Sequence, residues 1–106
     1  MPCYQILSAV RPVSRAHLDK ICRNATKVLT KDGGVVRRIH KTEDVKFAFT
    51  YKGKGVGEKH DFGSWVTIDA VASINAMKTL SNQLRLSDDI LRVTSRKISE
   101  TVTRKN

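Results

Sequence analysis

The hydrophobic pattern changes its period twice in the first half of the chain. Residues 3–10 alternate weakly between larger and smaller apolar side chains, which predicts a central strand with neither face in water. Apolar side chains then recur every three or four positions between Leu18 and Leu29, which predicts an amphipathic helix. Ser14 is a suitable N-cap for this helix, and the glycine-rich segment 32–34 would end it.

A period of two replaces the helical period from Val35 to Tyr51, where apolar side chains take many odd positions and basic or small ones the even positions. This pattern predicts a long second strand, and Glu43-Asp44 in its middle predicts a bulge, a bend or a break. Residues 62–68 are rich in aromatic and β-branched side chains and predict a third strand. The glycine-rich segment 53–60 is then predicted to be the loop of a long hairpin, with lysines at its protruding tip.

The second half of the chain repeats the strand–helix alternation. Asp69 is a possible N-cap for a second helix, with an apolar stripe formed by Val71, Ile74, Met77, Leu80 and Leu84. A turn at 87–89 leads to a last strand at 90–98. With right-handed crossovers, the order β-α-β-β-α-β predicts an α+β ferredoxin-like sandwich, in which a four-stranded antiparallel sheet carries two helices on one face. We expect a single domain over residues 1–98 and a basic tail over residues 99–106.

The excess of basic side chains narrows the range of possible binding partners. The 106 residues include 20 Lys and Arg but 10 Asp and Glu, a formal net charge of +10. Residues 1–36 carry six basic and two acidic side chains, residues 37–60 seven and three, and residues 91–106 five and one, whereas residues 61–90 carry two and four. Such a field favours polyanions, so we predict binding to nucleic acid, with a merely basic surface as the alternative.

Several other classes of site are excluded or disfavoured. The tripeptide Asp61-Phe62-Gly63 resembles a kinase motif, but the chain has neither a kinase catalytic loop nor a phosphate-binding Gly-x-x-x-x-Gly-Lys-Ser/Thr loop. Arg11 follows the first strand as in acylphosphatase-type enzymes, yet no glycine-rich cradle surrounds it, and we expect no catalytic activity. The cysteines and histidines lack zinc-site spacing, so we expect no metal and no cofactor. Cys22 is predicted to be a buried thiol on the apolar face of the first helix, which implies a reducing compartment.

The candidate RNA contacts are clustered basic side chains, because phosphate contacts position a protein on RNA and supply much of its salt-dependent affinity. Taken singly, each is better explained as solvated surface charge, and it is the clustering of the set that favours RNA. Arg85 and Arg92 flank a tight turn and are predicted to grip one phosphate ridge together. The full predicted set is Arg37, Arg38, Lys52, Lys54, Lys59, Arg85, Arg92, Arg96 and Lys97, extended by Arg104 and Lys105 in the tail.

A protein partner is predicted at the second strand, which we expect at the edge of the sheet, where strand addition is favoured. The predicted interface comprises Val45, Phe47, Phe49 and Trp65, with core packing as the alternative. Tyr4 is expected to pack in the core or an interface rather than to stack on bases, whereas for Trp65 packing and base stacking are both open. A free-standing single-stranded RNA-binding domain of the RNA recognition motif type is the alternative function, although residues 61–66 match its third-strand motif poorly.

Three segments resemble the bacterial-type small-subunit ribosomal protein S-six family: Tyr4-Gln5-Ile6-Leu7, Gly34-Val35-Val36-Arg37 and the run from Gln83 to Val93. The Met-Pro-x-Tyr start is more similar to mitochondrial members, while Gln5 and the basic tail depart from the usual pattern. The resemblance implies a structural constituent of the small ribosomal subunit that binds the central domain of the small-subunit rRNA and packs with the S-eighteen ribosomal protein in the platform. It also implies the mitochondrial matrix, with the bacterial cytoplasm or the chloroplast stroma as alternatives.

Overall fold

A computed structural model describes residues 2–31 and 33–98 of the protein, and the predicted tail and the predicted helix stop at Asp32 lie outside these residues. The elements follow the predicted order: β1 Cys3–Val10, α1 Arg15–Thr30, β2 Val35–Lys52, β3 Lys59–Val71, α2 Ile74–Leu86 and β4 Ile90–Ile98. The strands form one antiparallel sheet in the order β2-β3-β1-β4. The predicted ferredoxin-like sandwich is therefore confirmed, with β2 at an edge of the sheet as expected.

One face of the sheet packs on both helices and forms the core. Directly opposite residues of antiparallel strands share a face, so the pairs Ile6↔Ile68 and Tyr4↔Ala70 place even-numbered positions of β1 and β3 on the helix side. These side chains pack with buried residues of α1 and α2, including Leu18, Leu29, Leu80 and Leu84. Burial of this apolar surface is the main force that holds the two layers together.

The opposite face, called here the open face, carries the odd-numbered positions of β1 and β3 and has no helix over it. Leu7 on this face is 37% exposed, so the prediction that β1 has neither face in water is wrong for its outer side. Tyr4 lies on the helix face and packs against the core, as expected.

The two helices begin at serine caps. The Ser14 hydroxyl accepts a hydrogen bond from the backbone N–H of His17 at 3.2 Å, which confirms the predicted cap of α1. The predicted cap of α2 at Asp69 is wrong, because β3 continues to Val71 and the Ser73 hydroxyl caps the helix by accepting from Ala76 N–H at 3.1 Å. The apolar stripe of α2 shifts accordingly to Ala76, Met77, Leu80 and Leu84, and Ile74 is 57% exposed.

The long strand β2 is irregular in three places. Its register with β3 shifts between Val36 and Arg38, between Thr42 and Val45, and between Lys46 and Tyr51. The middle shift contains Asp44 at φ 54°, which confirms the predicted bulge at Glu43-Asp44. The hairpin loop spans residues 53–58, shorter than predicted, because β3 begins at Lys59 rather than at residue 62.

Candidate nucleic-acid interface

Three of the predicted RNA-binding arginines lie on the open face of the sheet. Arg92 is directly opposite Ala9, Arg96 is opposite Gln5, and Arg38 is opposite Asp69. Arg96 is held in place because its Nε donates a hydrogen bond to Gln5 Oε1 at 3.1 Å. The register thus places cations from both sheet edges, β2 and β4, on the same uncovered surface.

Asp69 on β3 lies between these two edges, and one oxygen of its carboxylate is buried without a hydrogen bond from the described residues. This oxygen is Oδ1, and it has no such bond although Arg38 is the cross-strand neighbour of Asp69. A small cavity lies where the start of β1 and β2 meets the end of β3 and β4. Arg37 and Arg38 line it, together with Asp69, Cys3 and Ile98. The carboxylate reduces the positive charge of the open face locally near Arg38.

Arg85 and Arg92 do not converge as predicted. Arg92 projects from the open face, whereas Arg85 stands in the last turn of α2 and lines a surface cavity with Tyr4 and Ser95 on the helix side. Lys97 is directly opposite Tyr4 and therefore also belongs to the helix side. The two arginines that flank the turn at 87–89 lie on opposite sides of the sheet. The structure therefore does not bring them together on one phosphate ridge.

The hairpin lysines have two different environments. Lys52 and Lys59 are exposed and directly opposite each other at the end of the β2–β3 ladder. Lys54 instead folds back onto α2, where its Nζ donates to the carbonyl oxygens of Arg85 and Ser87 at 2.5 Å each. A cation at this place adds a donor for carbonyl oxygens at the end of a helix, where the helix dipole also favours positive charge.

A charged cluster that the sequence did not reveal lies at one end of the sandwich. The Arg11 guanidinium contacts Asp89 Oδ1 through Nη2 at 2.7 Å and Nε at 2.8 Å, and His17 Nε2 lies 2.5 Å from Asp89 Oδ2. The hydrogen bond with His17 and those from Arg11 hold the pKa of Asp89 below its ordinary value, against the opposing effect of burial. Because Arg11 is engaged with Asp89, its guanidinium does not form an open anion-binding loop.

The predicted partner-contact residues divide between a small aromatic cluster and the surface. Phe47 is buried, and its ring centroid lies 5.1 Å from that of Tyr51 and 5.5 Å from that of Trp65, both edge to face. Phe47 lies over Gly63, where a Cβ atom would come within 3.0 Å of its ring. Phe49 is 73% exposed and Val45 is half-buried.

The open face lacks the aromatic pair of an RNA recognition motif domain. The open-face positions of β1 include Gln5, Leu7 and Ala9, none of which offers a ring for base stacking. Trp65 on β3 is an open-face position directly opposite Ala9, where it is half-buried beside Phe47 and Tyr51. The geometry therefore disfavours base stacking across both middle strands, because β1 offers no ring to pair with that of Trp65.

Residues 2–31 and 33–98 contain neither a candidate metal cluster nor a candidate membrane span. No group of three or more His, Cys, Asp or Glu side chains there is placed to hold a metal ion. No helix there has the length and apolarity needed to cross a membrane.

Comparison with known proteins identifies the family. The model of the family described as Ribosomal protein S6 matches residues 3–97. The small ribosomal subunit protein bS6 of Exiguobacterium sibiricum is 32% identical over 91 residues, which cover 85% of this chain and 90% of that protein. The crystal structure of 30S ribosomal protein S6 from Thermotoga maritima has the same fold, with a TM-score of 0.78 and 14% identity over 98% of this chain and 94% of the other. The chain thus belongs to the ribosomal protein S6 family.

Proposed function

We propose that this protein is a structural constituent of the small ribosomal subunit, where it binds the central domain of the small-subunit rRNA and packs with the S-eighteen ribosomal protein in the platform. The observation that carries the proposal is the family match over residues 3–97. In this role the protein binds and orders other molecules and catalyses no reaction.

The charge distribution supports an RNA partner. Arg38, Arg92 and Arg96 share the open face, and Lys52 with Lys59 extends the positive surface along the hairpin. Phosphate groups that follow this surface would release counterions on binding, which is the usual source of salt-dependent affinity. Arg85 and Lys97 lie away from the open face and would contact separate parts of the RNA, whereas Arg37 lines a cavity with Arg38. Lys54 is assigned to the RNA surface through its position in the hairpin, although it also bonds α2.

The protein partner is assigned to the second half of β2. Phe49 is exposed and Val45 half-buried on this edge strand, and Phe47 between them packs edge to face on Trp65. Exposed apolar side chains on an edge strand favour packing of a partner. We assign the S-eighteen ribosomal protein to this edge.

We propose the mitochondrial matrix as the compartment, because the Met-Pro-x-Tyr start is more similar to the mitochondrial members of the family. A bacterial cytoplasm or a chloroplast stroma is the alternative. Separation of mitochondrial from cytosolic ribosomes before immunodetection of the protein distinguishes these compartments.

Sucrose-gradient sedimentation of native lysate, with the salt concentration raised in steps, tests the ribosomal role. We expect the protein to sediment with small-subunit rRNA and to remain there at moderate salt, because an integral component is held by more than phosphate contacts. Recovery at the top of the gradient, or loss at the first salt step, would contradict the proposal and favour a free RNA-binding domain.

A further inference from the structure

The small cavity beside Asp69, called here the Asp69 cavity, brings a carboxylate and two guanidinium groups around one space. It has a volume of about 220 Å³, and the residues that line it include Cys3, Arg37, Arg38, Asp69 and Ile98. We propose that this cavity binds the edge of one unpaired guanine base of an RNA, with Asp69 as the residue that specifies guanine. The inference rests on the proposed RNA-binding role of the open face and adds a base preference to it.

The charged groups of the Asp69 cavity do not satisfy one another. The Oδ1 atom of Asp69 is buried without a hydrogen bond from the described residues. Arg38 is the cross-strand neighbour of Asp69, yet neither Arg38 nor Arg37 forms an ion pair with a described residue. A ligand that satisfies this cavity must therefore offer hydrogen-bond donors to the carboxylate and acceptors to the guanidinium groups.

These requirements and the size of the cavity disfavour simple ions and large ligands. A phosphate ion would meet the like charge of Asp69, and a metal cation would meet the like charges of two arginines. Pockets that enclose drug-sized ligands measure about 300–1,000 Å³, so a cavity of about 220 Å³ has room for a fragment such as one base. Cys3 and Ile98, directly opposite each other, supply an apolar surface for a flat ring.

Guanine is the base whose edge meets the requirements best. Its N1–H and N2–H groups are adjacent donors that match the two oxygens of a carboxylate, and its O6 and N7 atoms accept hydrogen bonds from arginine. Adenine and cytosine each offer a single amino group, and uracil places its one N–H between two carbonyl oxygens. The terminal torsion of an aspartate is broad, so the half-buried Asp69 carboxylate can turn either oxygen towards the base.

The side chains that flank Asp69 surround its carboxylate with donors. Directly opposite positions on β2, β3, β1 and β4 form a row across the open face: Arg38, Asp69, Gln5 and Arg96. Arg96 Nε donates to Gln5 Oε1 at 3.1 Å, which leaves the amide nitrogen of Gln5 as a donor beside Asp69. A base held at Asp69 by its edge needs no aromatic partner, and its phosphate backbone would follow the arginines of the same face.

Fluorescence anisotropy with the full-length protein tests the inference. The probes are fluorescein-labelled oligouridines of about ten nucleotides, the size of a single-strand binding site, in which the central base is varied. The central base is guanine, hypoxanthine, adenine, cytosine or uracil. We expect the guanine probe to bind about tenfold more tightly than each of the others, including hypoxanthine, which lacks only the N2 amino group.

Two variants assign the preference to Asp69. Asp69→Asn keeps the shape of the side chain but replaces one acceptor oxygen with a donor, and it should reduce the guanine preference to within about twofold. Asp61→Asn, at an exposed position of the same strand outside the cavity, removes an equal charge and should keep the full preference. Because the preference is a ratio measured on one protein, partial unfolding lowers the binding of all probes and leaves the ratio unchanged.

Several results would overturn the inference. These are the absence of binding to any probe, equal binding of all probes, equal binding of guanine and hypoxanthine, an unchanged preference in Asp69→Asn, or an equal loss in Asp61→Asn. The sedimentation test of the ribosomal role does not depend on base identity. A protein that sediments with the small subunit but shows no base preference keeps the proposed function and loses this inference, whereas a guanine preference in a protein that stays at the top of the gradient keeps the inference alone.

Discussion

The guanidinium of Arg11 and the carboxylate of Asp89 join the end of β1 to the turn before β4, with Arg11 Nη2 2.7 Å from Asp89 Oδ1. The backbones of the two residues are paired as well, because Arg11 N–H donates to the Asp89 carbonyl oxygen at 2.9 Å. His17 in the first turn of α1 contacts the second carboxylate oxygen. A single carboxylate thus connects two strands of the sheet to the helix that covers them.

Asp89→Asn is expected to lower the free energy of unfolding at neutral pH by about 1.5–3 kcal/mol, the usual contribution of hydrogen bonds to a charged group. Asparagine retains the shape of the side chain but lacks the charge that both Arg11 and His17 contact. Urea unfolding followed by Trp65 fluorescence measures the change. Asp88→Asn, at the exposed neighbouring position, is the control and should change the free energy of unfolding by less than about 0.5 kcal/mol.

The Asp89 carboxylate should also make the free energy of unfolding depend on pH. Because the pKa of Asp89 is lowered in the folded state, its contribution is complete above the unfolded pKa of about 3.9 and is lost as the pH falls through the lower folded value. The wild-type protein should therefore lose more stability than Asp89→Asn when the pH is lowered from about 5 to about 2. Parallel pH profiles of the two proteins would show that Asp89 is not a linked group.

Local features of the fold could be predicted from the sequence because each depends on neighbouring residues. The cap at Ser14 requires a side-chain oxygen and a backbone N–H three residues later. The bulge at Asp44 follows from two acidic residues that interrupt a period of two. The cap at Ser73 was missed because both Asp69 and Ser73 are good capping residues, and the length of β3, set by pairing with β1, decides between them.

The candidate site was less predictable, because its contacts join residues that are distant in the chain. Arg11 and Asp89 are separated by 78 positions, and Lys54 and Arg85 by 31. Charge alone marked Lys54 and Arg85 as RNA contacts, and nothing in the local sequence indicates that one binds the backbone of the other. The separation of Arg85 from Arg92 likewise depends on the register of β4 with β1.

Arg92→Ala and Arg96→Ala are each expected to weaken binding of small-subunit rRNA fragments and to reduce the salt slope by about 1, because each removes a phosphate contact from the open face. The measurement is the dissociation constant over a series of salt concentrations. Lys20→Ala on α1, on the other side of the sheet, should leave the slope unchanged. Equal losses in all three variants would indicate non-specific attraction to the net charge rather than a surface on the open face.

Gly63→Ala is expected to destabilise the fold by about 1–3 kcal/mol through overpacking. A Cβ atom at this position would lie 2.2 Å from the carbonyl oxygen of Val10 and 3.0 Å from the Phe47 ring, so β1 and the aromatic cluster would both have to move. Thermal unfolding measures the loss, and a shift in Trp65 emission would show displacement of Phe47. Gly55→Ala is the matched control, because the nearest atom to its Cβ is a flexible Glu58 oxygen at 3.4 Å.

Lys54→Met is expected to destabilise the protein by about 0.5–1.5 kcal/mol, because it removes the lysine hydrogen bonds to the carbonyl oxygens of Arg85 and Ser87. The Ser87 oxygen keeps only the long backbone hydrogen bond from Ile90 N–H at 3.4 Å among its described contacts. Lys52→Met, two residues earlier in the same hairpin, removes an equal charge without a described hydrogen bond and serves as the control. Chemical denaturation and amide exchange in the hairpin measure the stability of the two variants. We expect a loss of stability in Lys54→Met and none in Lys52→Met. If both variants retain full stability and lower the salt slope of RNA binding equally, then Lys54 acts only as a phosphate contact. A selective loss of stability in Lys54→Met would instead show that this lysine holds the hairpin against the end of α2.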